Sequence, residues 1–234
     1  MNIRCIWEHN GEDSILYAEN FPGAFTRGES LEIAKGKMPG EIRTYLHWRG
    51  GSWLDAAQIE IVQEQASQLQ IRDADSDVLF GSEKAPLTWE EYEELRDLTL
   101  RSAEDFHRLY ESVPDKHVSC LPLRSTFYGP VPRTAEEMYR HTKSVNAYYF
   151  GEIGVEADNE GTIAQCRRRG FAALEQQPGF LEKEAQEGSY GEWWSVRKVL
   201  RRFLWHDRIH AKAMYRMAGK TFGKEKILDP FYFG

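Results

Sequence analysis

Long apolar runs are missing from this chain of 234 residues. Nothing in it approaches the roughly 18 consecutive apolar residues that mark a membrane-spanning helix, so no membrane span is expected. The opening stretch, MNIRCIWEHN, carries charge where a signal peptide has its apolar segment, and the expectation is a cytoplasmic protein. Cysteine is scarce as well. Cys5, Cys120 and Cys166 are odd in number and far apart, which fits a reducing compartment and excludes a disulfide framework or a zinc knuckle. Positive charge is in deficit, with 30 Lys and Arg against 37 Asp and Glu and a net charge of −7. Most of that deficit falls early: residues 1–80 hold 7 Lys/Arg and 13 Asp/Glu, leaving 23 and 24 for the rest. An acidic first third repels phosphate backbones, so nucleic acid is not an expected partner. The basic clusters Arg167-Arg168-Arg169 and Arg201-Arg202 read as solvated helix faces.

Two motifs start and break off. DADSD at Asp73–Asp77 opens like a calcium loop, but Val78 stands where the turn needs Gly and Lys84 where the bidentate Glu belongs. GKT at Gly219–Thr221 ends like a phosphate loop, yet Met214 occupies the leading Gly position and the tripeptide closes a helical stretch.

What the chain does contain changes character near the end of its first third. IRCIWEH, SILYAEN and IEIVQEQ are rich in β-branched and aromatic residues and are separated by the turn pairs Asn10-Gly11 and Pro22-Gly23, which predicts strands. Between them, Glu29 or Ser30 caps a short helix through Leu31 and Ala34; Pro39-Gly40 should interrupt it before EIRTYLHW resumes, and Gly50-Gly51 closes the segment. From Leu87 the period becomes helical. Thr88 with Glu91 and Thr134 with Glu137 are capping boxes that open two helices, joined by a Pro-studded connection from Pro114 to Pro132. A third helix is predicted from Thr162 to Gln177, and a fourth from Glu192 to Ala218 with Gly219 as its stop. The fold class expected is α+β: a small sheet-plus-helix domain over residues 1–83, then a four-helix bundle over residues 84–234.

The last of these helices holds His206 and His210, four residues apart and therefore on one face. Alone, such a pair reads more simply as two exposed or hydrogen-bonded side chains. Their neighbours change that. Val199, Phe203, His206, His210, Ala213 and Met217 form one stripe at helical spacing, and Met138, His141, Val145 and Tyr148 form another on the helix opened by Thr134. Three inward imidazoles need partners if they are to be buried, and one divalent cation would satisfy all three.

His141 followed by His206-Asp-Arg-Ile-His210 resembles the metal triad of the DinB-like superfamily. PRTAEEMYRHTKSVNAYYFGEIG and SVRKVLRRFLWHDRIHAKAMYRM are similar to it along their length, and the resemblance spans about residues 87–223. It implies a bundle in up-down-down-up order with a long crossover between its second and third helices. It also implies that His141, His206 and His210 hold zinc, nickel or iron. The first 80 residues are similar to HicB-like antitoxin domains, in which a strand pair leads through PGxxTxG into a helix; Pro22, Gly23, Thr26 and Gly28 carry that likeness. This chain lacks the DNA-binding segment that such antitoxins commonly add, so an accessory role in packing or partner contact is expected of it.

Members of the DinB-like superfamily transfer low-molecular-weight thiols to electrophilic substrates, use a thiol to assist isomerisation, or hydrolyse. The resemblance therefore implies a small-molecule substrate and a metal-activated thiolate, with metal-activated hydroxide as the alternative. A non-catalytic stress-related protein, stapled by its metal or recruiting a partner, is the competing class, and a homodimer is the assembly considered. Tyr148, Tyr149, Arg124 and Tyr128 are the candidates for lining a pocket, and Cys166 reads as a small buried side chain.

Overall fold

A hairpin opens the chain. β1 (Asn2–Asn10) and β2 (Asp13–Ala18) pair antiparallel with Asn10 opposite Asp13, and Gly11 turns the corner at φ +59°. β3 (Phe25–Gly28) pairs with β2. α1 (Leu31–Arg49) follows, and β4 (Gln58–Ala66) returns beside β1 in parallel, giving the order β3-β2-β1-β4. The structure, a computed structural model, describes residues 1–52, 57–68, 78–126 and 129–234, so the Asp73–Asp77 stretch lies outside it.

Ser30 is the cap of α1, accepting from the Ile33 amide. Pro39 does not interrupt that helix. Ala34 and Met38 before it and Ile42 and Tyr45 after it form one buried stripe, and α1 lies against β2 and β3. Proline inside a helix costs about 3 kcal/mol, and burying four apolar side chains at about 1.5–3 kcal/mol each outweighs it. The residues of the PGxxTxG likeness have a local job here. Thr26 Oγ1 donates to the Ala34 carbonyl at 2.8 Å, and a Cβ on Gly28 would stand 2.6 Å from the Ala34 nitrogen. Only glycine lets β3 come that close to the first turn of α1.

The chain divides into two compact units, Met1–Ser82 and Glu83–Gly234. In the second, α2 (Trp89–Ser112) starts at a complete Thr88/Glu91 capping box. The connection that follows carries the short pair β5 (Ser125–Thr126) and β6 (Gly129–Pro130) before α3 (Ala135–Gly151), which opens on the Thr134/Glu137 box. α4 (Ile163–Glu175) is capped by Thr162 with Gln165. β7 (Gln186–Glu187) and β8 (Trp193–Trp194) form a hairpin, and α5 (Val196–Phe222) completes the unit. α2 and α3 each pack on both α4 and α5. Their shared core includes Tyr92, Phe150, Phe171, Leu200 and Phe203. No helix among the described residues is long and apolar enough to cross a membrane.

Both ends of α5 differ from the sequence expectation. Pairing with β7 keeps Trp193 and Trp194 extended, so the helix begins only after Ser195, whose hydroxyl accepts from the Lys198 amide at 3.1 Å. At the other end Gly219 lies inside the helix. Met217 and Ala218 are still buried, and this packing carries the helix on to Gly223, which ends it at φ +97°.

Gly170 sets the distance between α3 and α4. A Cβ there would lie 2.5 Å from Cδ2 and 2.7 Å from Cζ of the fully buried Phe150. Gly170→Ala should destabilise the unit, because overpacking costs about 1–3 kcal/mol and alanine's helix preference returns only about 1. The urea midpoint should fall; an unchanged midpoint would mean that Phe150 can turn aside.

Candidate metal centre

The Thr134/Glu137 box places His141 in the second turn of α3, while His206 and His210 lie one turn apart midway along α5. α3 and α5 run in opposite directions along their contact. His141 meets His206 and His210, Tyr149 meets Phe203 and Arg202, and Tyr148 meets Trp194. The three imidazoles converge through Nε2: His206 stands 3.3 Å from His141 and 3.2 Å from His210. One ligand atom from each ring lies within 4.8 Å of the others, and this cluster could hold a metal ion. Nitrogens about 2.1 Å from a common ion stand about 3.0–3.4 Å apart for angles between square and tetrahedral, and the two separations from His206 fall in that range.

Burial of the three is unequal. His206 is enclosed, whereas His141 and His210 reach solvent, so the centre opens outward rather than lying wholly in a core seam. Enclosure holds the His206 imidazole well below its ordinary pKa, and the neighbouring His210 and His141 add to the effect. Neutral His206 keeps a lone pair for coordination at neutral pH. Its other nitrogen, Nδ1, is buried with no hydrogen-bond partner among the described residues, which leaves Nε2 as the atom with work to do.

The surroundings contain more buried charge than the sequence suggested. Arg168 and Arg169 are exposed, but Arg167, Arg201 and Arg202 are buried, so those clusters are not solvated faces. Arg167 reaches Asp207 through two contacts, 2.6 and 3.1 Å, and lies over the Phe203 ring. Arg201 is paired with Glu83. Arg202, one turn before His206, donates to Tyr149 Oη at 3.1 Å and lies near the rings of Tyr149, Trp194 and Trp205. A cation against aromatic faces can be buried because the ring quadrupoles replace part of its hydration. Trp194, Phe203 and Trp205, interleaved with Arg201, Arg202 and Arg208, were the sequence signal for this arrangement.

Lys198 extends the theme. Its Nζ donates to the Trp193 carbonyl at 2.8 Å and lies over the Trp194 ring, and burial, aided by Arg202 and Arg201, pushes its pKa down to about 8. The unfolded chain, with an ordinary lysine near pH 10.4, binds more protons between those values. Stability should therefore rise with pH across that window, at up to about 1.4 kcal/mol per pH unit. Denaturation of wild type and Lys198→Met at pH 8 and pH 10 checks this: the wild type should gain on the variant as pH rises. Parallel curves would show that Lys198 titrates as an ordinary lysine.

Of the candidate pocket residues, Tyr148 and Tyr149 have neighbouring rings, 5.5 Å apart. Tyr149 is buried, with its ring 6.1 Å from that of His206. Tyr148 is half-buried and lines a cavity of about 420 Å³ formed with Gly151, Glu152 and the β7 hairpin. Arg124 lines a different cavity, at the N-terminal end of α3. Tyr128 lies outside the described residues. Cys166 is fully buried, and that burial raises its thiol pKa, as suits a packing role.

No family model, curated protein or solved structure matches the chain. The functional reading rests on the centre itself.

Proposed function

We propose that this chain is a divalent-metal-binding protein of the DinB-like kind, with α2 to α5 as an up-down-down-up four-helix bundle. In this reading it activates a low-molecular-weight thiol for transfer to an electrophilic small molecule. The supporting observation is the convergence of the His141, His206 and His210 Nε2 atoms from two helices. These three would hold zinc, nickel or iron, all of which accept imidazole nitrogen. Such an ion, with three protein ligands and open positions, supplies a depressed pKa to a thiol bound beside it.

The chain's own residues prepare that chemistry. Burial keeps His206 neutral, and the exposed sides of His141 and His210 leave a path for a thiol and its acceptor. Arg202 holds Tyr149 Oη, which fixes the aromatic wall beside His206. The Arg167–Asp207 pair ties α4 to α5 at the residue next to His206, so the ligand helix cannot shift its register cheaply.

The experiment is elemental analysis of protein purified without chelators or metal-affinity columns, followed by thiol-conjugation assays with small thiols and electrophiles. Retention of one divalent transition metal per chain, and conjugation lost on chelation and regained with metal, are the expected results. Absence of a retained metal, or conjugation indifferent to chelation, would overturn the reading.

A further inference from the structure

We propose that the cavity at the N-terminal end of α3 binds a small organic carboxylate with an apolar body. Its volume, about 340 Å³, falls within the range of small-molecule sites. Arg124, Arg133 and Arg140 line it beside an apolar wall that includes Leu123, Val131 and Pro132. Leu123 is 85% exposed, a large apolar side chain left in water at the cavity rim.

Two carboxylates also line the cavity, and both are engaged elsewhere. Glu137 accepts from the Arg133 amide at 2.8 Å and the Thr134 amide at 3.1 Å, and those backbone donors hold its pKa below the usual carboxylate range. Glu136 accepts from the Tyr110 hydroxyl. Neither forms an ion pair with Arg133 or Arg140, which have no ion pair among the described residues. Arg133 donates through Nη1 to the Leu121 carbonyl at 3.4 Å, while its Nε is buried with no acceptor. The first turn of α3 is already capped by Thr134 and Glu137, so the arginines rather than the helix end supply the attraction. A guanidinium matches a carboxylate through two parallel hydrogen bonds, and an apolar wall beside it selects for a hydrocarbon body.

Arg140 is the residue before His141, and Glu137 lies one turn before His141 on the same face of α3. A molecule anchored here would therefore extend toward the histidines. That consequence rests on the metal reading; binding itself does not.

The test is a titration of the chelated full chain with hexanoate, acetate, hexanol and inorganic phosphate, followed in ¹H–¹⁵N spectra. Hexanoate should give saturable shifts clustered at residues 130–140, with a Kd of about 1–10 mM as expected for so few atoms. Acetate and hexanol should bind roughly tenfold more weakly, since each lacks one of the two recognised parts. The exposed Arg140→Gln should weaken hexanoate about fivefold or more, and Arg140→Lys less, because lysine keeps the charge but not the fork. Hexanol binding as well as hexanoate, phosphate binding better than hexanoate, or an Arg140→Gln variant that binds normally would each overturn the proposal. His141→Ala should leave hexanoate binding intact, so loss of the metal reading and loss of this one are separately visible.

Discussion

His141→Ala should lower the affinity for the divalent ion by more than about 100-fold, since changes one shell further out already cost 10–100-fold. His141 is the one ligand contributed by α3, and the other two share a single face of α5. A pair on one helix can still hold an ion, but with one bond fewer and with no link between helices. The helices themselves should persist. Met138 and Tyr149 keep α3 buried, and the Thr134/Glu137 box still starts it. Circular dichroism should therefore match the wild type while competition with a metal-binding dye shows the loss. Acidification should act in the same direction in the wild type, because a protonated imidazole cannot ligate; the ion should leave below about pH 5. Should His141→Ala hold the ion as tightly as the wild type, His206 and His210 must have another partner and the triad is wrong.

The second large effect concerns stability. Arg167 and Asp207 are both fully buried and share two hydrogen bonds. Burial raises the Asp207 pKa, opposed by the charge and hydrogen bonds of Arg167. Arg167→Met or Asp207→Leu alone strands a charge in the interior and should cost about 3–5 kcal/mol, a fall in Tm of about 6–20 °C at this chain length. Replacing both together should recover most of that loss, because an apolar pair of similar volume has no desolvation penalty to offset. Thermal unfolding of the three variants decides it. Single variants as stable as the wild type would mean that water reaches the pair, and a double variant as weak as the singles would mean that packing around Phe203 is what was lost. Metal affinity in the stable double variant then measures how far the pair positions His206.

Much of the local structure could be read from the sequence because the signals are local. Thr88 with Glu91 and Thr134 with Glu137 satisfy orphan amides within one turn, so the spacing of two residue types suffices to start α2 and α3. The β-branched and aromatic residues of IRCIWEH and SILYAEN, bounded by turn pairs, predict β1 and β2 in the same way. The stripes through His141 and through His206 and His210 share a helical period, which is enough to nominate three inward imidazoles. Where the outcome depended on distant partners, local signals misled. Pro39 reads as a break, but α1 continues because its apolar stripe packs on both sides of the proline. Gly219 reads as a stop, but burial of Met217 and Ala218 carries α5 past it. Arg167, Arg201 and Arg202 read as surface charge, because nothing in the chain order shows that Asp207 stands opposite Arg167, Glu83 opposite Arg201, or Tyr149 against Arg202. Periodicity found the buried face of α5 through Val199, Phe203 and His206, but on α3 the buried face runs through Thr142, Asn146 and Tyr149, one residue round from the expected His141, Val145 and Tyr148. Only the tertiary structure decided that His206 is enclosed while His141 and His210 meet solvent, since exposure depends on what each neighbouring helix leaves uncovered.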